Sequence, residues 1–386
     1  MKSPFLVLIM VIVVLSTTSV VSAGTKPDLS SGDQDIATLL QAIRKKYKVP
    51  AIAGAIVSTK GSVSVGVVGV RKKGTEIAVT LEDQWHLGSD TKAMTATLIA
   101  KMVEQGQLKW ETTMAEVFPK LSPGFHDDMK KVTVLQLLCH RAGLPANLKL
   151  EKYLGESKVE RLKAVKQELA NPPKTPPGSH FLYSNLGYII AGAVVEKVTG
   201  KSWEKNMTEH LFKPLKMKHV GFGGLGTPGK IDQPWSHTSL GFPVAKNGPT
   251  VDNPPVMGPA GRVHCTIQDW AKFVADQLRG ARGESTILKN SSYKILQTPA
   301  AGGDYALGWI SVKRGWAGGA VLTHAGSNSM NYAVVWIIPK RGFAVLVCIN
   351  QGGNVAKKAS DDAVRALIAF QMKKIEAARK KKSSNR

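Results

Sequence analysis

Cysteine is scarce. Cys139, Cys265 and Cys348 are the only three in 386 residues, and none stands in a C-x-x-C pair, which excludes a disulfide framework and argues against thiolate metal binding. They read as buried small hydrophobes, with at most one bridge among them. There is no G-x-S-x-G elbow and no H-E-x-x-H helix, so two common hydrolase signatures are absent. The Gly-Lys-Ser at 200–202 has Val195 where a phosphate loop needs glycine, and Gly200 reads instead as the end of a helix. The letters G-x-G-x-x-G at Gly221–Gly226 run into Thr227-Pro228-Gly229 where a dinucleotide motif needs a helix, so they read as loop. Internal repeats are absent. Neither a metal nor another cofactor is expected.

Acidic residues are also few: 28 against 52 Lys and Arg, a formal net charge of +24 at pH 7. Lys2 is the only charged residue among the first 23, so the remainder carries 24 − 1 = +23. Such a surface attracts anionic polymers or lipid headgroups. With no zinc-finger, RNA-binding or bZIP pattern present, nucleic acid is not the expected partner. An anionic cell-wall or membrane surface is, beside a small-molecule or peptide substrate. The basic excess is densest in a carboxyl-terminal tail, residues 371–386, "QMKKIEAARKKKSSNR".

What is present begins with an export signal. Residues 1–23 show one lysine, an apolar run from about Phe5 to Leu15 and a small-residue site ending Val21-Ser22-Ala23, the pattern of a cleavable signal peptide. An uncleaved membrane anchor is the alternative, although the run is shorter than the roughly 20 residues a spanning helix needs. Residues 24–35 read as a polar linker.

From there, "IATLLQAIRKKY" has helical apolar spacing, and "AIAGAIVST" and "VSVGVVGVRK" read as two strands joined at "KGS". Near the other end, "GAVLTHAG", "MNYAVVWIIP" and "FAVLVCIN" read as three more strands, followed by a helix over about 355–378. Such continuous apolar runs indicate a sheet covered on both faces, in which strands from both chain ends meet. The middle, from about Ser89 to Leu278, reads as helices and loops. The expected class is α+β: an antiparallel sheet flanked by terminal helices plus a mostly helical lobe, with a cleft between them. The stretch from Gly221 to Gly261 is too long for a simple connection and reads as a functional rim or lid.

Within "HLGSDTKAMTA", Ser89 and Lys92 lie three residues apart at the start of a predicted helix, so hydroxyl and ammonium share a face. A serine needs a base to become a nucleophile, and a desolvated lysine serves as one. The pattern alone is weak, for Ser202/Lys205 and Ser291/Lys294 repeat it. Two further motifs supply context. Tyr183-Ser184-Asn185 is the only Tyr-x-Asn in the chain and precedes an apolar helix; without context it is a buried tyrosine and a helix cap. His324-Ala325-Gly326 ends a predicted strand, whereas the same spacing at His86 and His219 reads as chance.

The order Ser-x-x-Lys, Tyr-x-Asn, His-x-Gly resembles the serine β-lactamase and penicillin-binding-protein superfamily, most closely its class C β-lactamase and D-alanyl-D-alanine carboxypeptidase branch. The related class A set has S-D-N in the middle place; here it is a tyrosine type. The likeness extends through "VTVLQLLCHRAGLP", "GPAGRVHCTIQDWAKFV" and "ALGW" and covers about 36–370, the expected hydrolase domain. It implies a serine hydrolase working through an acyl-enzyme, and with the signal pattern of residues 1–23 the expectation is an exported one. Ser89 attacks a carbonyl, Lys92 and Tyr183 share the proton work, and Asn185 binds the substrate amide and the lysine. His324 and Gly326 complete the substrate-binding edge, and the backbone N–H groups of Ser89 and Ser327 form an oxyanion hole, each donor worth ~3 kcal/mol. Many β-lactamases of the superfamily carry lysine where His324 stands, so the resemblance favours a peptidase or esterase over an efficient β-lactamase. Cys139 and Arg141 depart from the usual Thr and Ser. An alternative of another class is a non-catalytic relative that binds anionic wall polymer.

Overall fold

In a computed structural model the described residues are 30–284, 286–299 and 303–384; the signal peptide and the first part of the linker lie outside them. Among the described residues ten strands run in chain order: β1 (Ser30–Gly32), β2 (Ala51–Ser58), β3 (Gly61–Gly69), β4 (Gln84–His86), β5 (Val220–Phe222), β6 (Val263–Thr266), β7 (Ile310–Arg314), β8 (Gly319–Ser327), β9 (Tyr332–Ile338) and β10 (Phe343–Ile349). The principal helices are α1 (Gln34–Tyr47), α2 (Thr91–Glu104), α3 (Ser157–Glu168), α4 (Asn185–Thr199), α5 (Ile267–Ala281) and α6 (Gly353–Ser384).

Seven strands form one antiparallel sheet in the order β1-β3-β2-β10-β9-β8-β7. The chain ends meet where β10 pairs with β2, from Phe343 opposite Ser58 to Ile349 opposite Ile52. Side chains alternate across a strand, so each central strand serves two cores. Ala51, Ala53, Ala55, Ala344, Leu346 and Cys348 pack toward α5 and the helical lobe. Ile52, Ile56, Val345 and Val347 pack beneath α1 and α6, against Leu40, Ala359 and Leu367. The apolar runs are therefore continuous because both faces are covered, as expected. Gly54 lies where a Cβ would come within 3.0 Å of Leu40.

Several features depart from the sequence reading. Ser30–Gly32, assigned to the linker, pairs with β3 as an edge strand; main-chain hydrogen bonds hold it, which need no apolar pattern. Helix α6 continues through the basic tail to Ser384. A second sheet, β4-β6-β5, joins segments distant in the chain, and its three- and four-residue strands are too short to show periodicity. Gly221 thus belongs to β5, and the loop begins at Gly223. All three cysteines are free and buried.

In the helical lobe, α2 and α4 are buried on nearly every side, the signature of central rather than surface helices. Gly200 caps α4 at φ +73°. No described helix is long and apolar enough to cross a membrane.

Candidate active site

Ser89 lies in a single 3-10 turn, Gly88–Asp90, between β4 and α2. The turn presses against the end of β8. Gly88 has φ +50°, and a Cβ there would fall 2.3 Å from the Ser327 nitrogen; a Cβ on Gly326 would fall 1.9 Å from the Leu87 oxygen and 2.5 Å from the Ser89 nitrogen. Only glycine fits at either place, and the two backbone amides expected to form an oxyanion hole are thereby brought side by side.

The first turn of α2 is cradled by the segment 259–263. Thr95 donates to the Pro259 carbonyl at 2.8 Å, Val263 N–H donates to Thr91 Oγ1 at 3.2 Å, and Lys92 Nζ donates to the Ala260 carbonyl at 2.6 Å. Lys92 is fully buried. Its other neighbours are Asn185 Oδ1 at 2.8 Å and Ser89 Oγ at 3.0 Å. Asn185 in turn donates through Nδ2 to Asn147 Oδ1 at 2.7 Å, which fixes its oxygen toward the lysine. A carbonyl and an amide oxygen only accept. They take two N–H bonds, so a neutral amine directs its lone pair at the Ser89 hydroxyl.

Burial lowers Lys92 to about 7, against the opposing charge of Asp90. Asp90 is itself enclosed, neither carboxyl oxygen has a hydrogen-bond partner, and burial raises it well above the usual carboxylate range. The desolvation of Lys92 therefore outweighs the opposing pull of Asp90, which lies outside hydrogen-bond reach of the amine.

Tyr183 stands over this pair, with Lys92 Nζ 4.9 Å from its ring centre. Burial pushes the phenol up to about 12, against a hydrogen bond with Ser89 that lowers it. The tyrosine is placed by a residue the sequence reading passed over, His140. Its ring packs 4.3 Å from Tyr183 and 4.6 Å from Tyr305, its carbonyl accepts from Leu182 N–H, and its Nδ1 accepts from Ser184 N–H at 3.1 Å. Ser184, not Asn185, caps α4, through Gly187 N–H. The neighbours of His140 have structural places: Cys139 is buried with its thiol pushed up by burial, and Arg141 donates to the Ser179 carbonyl at 3.2 Å, steadying the approach to Tyr183.

His324 is 4% exposed and its Nε2 lies 3.2 Å from Tyr305 Oη. Burial and the Lys92 charge lower it to about 3, so it contributes no positive charge at neutral pH. The structure thus brings Ser89, Lys92, Tyr183, Asn185, His324, Gly326 and Ser327 to one place and excludes the repeats of the first motif. Ser202 is a helix cap for Lys205 N–H, and Ser291 and Lys294 lie on a separate helix, Asn290–Gln297. His86, dismissed as a chance match, also ends a strand and lies three residues before Ser89. A cavity of about 870 Å³ lies beside the site rather than in it, sharing Asn147 with it and lined also by Lys149, Lys152 and Lys174. Among the described residues no group of three His, Cys, Asp or Glu gathers as metal ligands do.

A two-faced antiparallel sheet with a helical lobe, and a serine–lysine pair at their junction, is the architecture of serine β-lactamases and penicillin-binding proteins. Residues 36–370 match the Beta-lactamase family, and the chain belongs to it. Among curated relatives, Penicillin-binding protein 4 of Amycolatopsis lactamdurans is 28% identical over 296 residues, 73% of each chain. Protein flp of Staphylococcus aureus is 23% identical over 290 residues, and the match spans 56% of its length. Among solved structures, SurE superposes with a TM-score of 0.70 at 21% identity, covering 87% of this chain and 75% of that one. The octameric penicillin-binding protein homologue from Pyrococcus abyssi gives 0.70 at 23% identity, over 88% and 77%.

Proposed function

We propose that the protein is an exported serine hydrolase that forms an acyl-enzyme on Ser89 and acts on an amide or ester: a D-alanyl peptide, a D-amino-acid peptide or a small ester. The observation that carries this reading is the 3.0 Å contact between Ser89 Oγ and a fully buried Lys92 that meets only neutral acceptors. In the proposed cycle the neutral amine takes the hydroxyl proton as Ser89 bonds to the carbonyl carbon. The oxyanion is received by the Ser89 and Ser327 amides; as it collapses, the carbonyl carbon's bond to the leaving group breaks, Tyr183 gives that group its proton, and the Lys92 ammonium passes the serine proton on to Tyr183. Water then releases the acyl group and restores the serine.

A β-lactamase is the rival within the family. Against it stands His324, which is uncharged where a substrate carboxylate needs a cation. A chromogenic cephalosporin, a D-Ala-D-Ala peptide and a short-chain nitrophenyl ester rank the readings: the peptide or the ester turns over fastest on this account, and dominance of the cephalosporin reverses the order. Export is tested by the amino-terminal sequence of the secreted protein, expected to begin at Gly24. Association with an anionic wall polymer or membrane surface is supported by the +23 charge; it predicts retention on such material that salt releases.

A further inference from the structure

Asp252 lies on the long segment between β5 and the turn Pro255–Met257, part of the stretch whose length marked it as functional. Its carboxylate is wholly enclosed and is held from three directions. Oδ2 lies 2.9 Å from His86 Nε2 and 3.3 Å from Arg262 Nε; Oδ1 accepts from Asn328 Nδ2 at 2.9 Å. These partners are 166, 10 and 76 residues away in sequence.

Each partner adjoins a different wall of the site. His86 Nδ1 accepts the Gly88 N–H at 3.1 Å, which places the ring proton on Nε2, where it is donated to Asp252. Arg262 follows Ala260 and Gly261, the first of which takes Lys92 Nζ while the second packs 3.4 Å, measured from where its Cβ would be, from Gly88. Asn328 follows Ser327. Burial alone would raise the Asp252 carboxyl; His86, Asn328 and Arg262 outweigh it and hold it at about 2, so it is ionised at neutral pH.

A buried ion pair is weak evidence of stabilisation, because well-packed apolar groups serve as well. What this one supplies is registration: a single anion ties the turn that carries Ser89, the segment under Lys92 and the end of β8. We propose that Asp252 is a positioning residue for the oxyanion site, holding the Ser89 and Ser327 amides at one fixed spacing through His86 and Asn328. The inference rests on the acyl-enzyme reading above. Asp252 itself touches no reacting atom. Its effect belongs to the transition state, where a displacement of about 1 Å costs on the order of 100-fold.

The test compares wild type, Asp252→Asn, Asn328→Asp and the double variant on a nitrophenyl ester, with Ser89→Ala as the blank and thermal unfolding measured on each. Asp252→Asn faces the His86 and Arg262 donors with an amide that no longer carries charge. Asn328→Asp keeps the acceptor toward Met330 and Asn331 N-donors but loses the donor to Asp252. Asp252→Asn is expected to lower kcat about 10- to 100-fold with KM within about 2-fold, the split that marks an interaction made only in the transition state. An alkyl boronic acid, whose adduct places an oxygen in the hole, is expected to bind more weakly by a similar factor. Asn328→Asp is expected to lower kcat about 10-fold, and the double variant to be no worse than Asp252→Asn. Unchanged kcat in a folded variant, a loss confined to KM, or effects that multiply each overturns the proposal. If Asp252→Asn does not fold, Asn328→Asp decides by the same kcat and KM criterion. Absence of Ser89-dependent turnover in the wild type overturns the hydrolase reading itself, and this inference with it.

Discussion

Two buried cations in the helical lobe, Arg161 and Lys92, are both without exposure to solvent, and their surroundings are opposite. Arg161, on α3, meets Glu196 at 2.6 Å and Glu204 at 2.9 Å. Burial alone would lower the guanidinium; the two glutamates outweigh it and raise it. Lys92 meets a hydroxyl, an amide oxygen and a carbonyl oxygen, and burial lowers it to about 7. Burial is common to both; the partner decides. A cation matched by carboxylates is locked into its charge and holds helices together, whereas one given neutral acceptors can surrender a proton at neutral pH. Arginine suits the first task because it does not deprotonate, and lysine the second because it does.

Removing either cation separates the two roles. Lys92→Met is expected to lower the rate of Ser89 acylation about 1,000-fold or more, within the range that loss of a positioned base costs, and fluorophosphonate labelling kinetics read it directly. Arg161→Ala is expected to leave turnover per folded molecule unchanged but to destabilise the fold by about 3–5 kcal/mol, because Glu196 is left buried and unpaired; denaturant unfolding measures this. Giving Lys92 a carboxylate makes it resemble Arg161. In Asn185→Asp the new anion favours the ammonium, so the free base appears only at higher pH and the acid limb of the rate profile moves up by about 1–3 units. The smallest effect is expected from Asn147→Ala, which releases the Asn185 amide without touching Lys92 and should lower kcat about 2- to 10-fold, the worth of one ordinary hydrogen bond.

Legibility in the sequence followed the range of the interactions. Strands β2 and β10 were readable because burial on both faces writes an unbroken apolar run, and α2 and α4 because whole turns repeat. Ser89 and Lys92 stood out from two identical spacings only through Tyr183, Asn185 and His324, brought together from distant parts of the chain. His86, His140 and Asp252 were not readable. Their meaning lies in contacts made by folding: His140 meets Tyr305, and Asp252 meets Asn328, with no local pattern to mark either. The short strands β4, β5 and β6 were missed for the same reason, since three or four residues carry no period and their pairing partners are remote. Ser30–Gly32 read as linker because an edge strand can be held by backbone alone.

The most direct test is the rate of covalent capture by a fluorophosphonate as a function of pH, followed by intact mass and by mapping of the labelled peptide. Lys92, lowered to about 7, has to be in its free-base form to take the serine proton, so the rate should be low below that pH, rise through it and level off above. One adduct per chain on the peptide containing Ser89, with that profile, is the predicted result. No adduct, an adduct elsewhere in the chain, or a Ser89 adduct whose rate climbs only near the pH where an ordinary exposed lysine titrates contradicts the account.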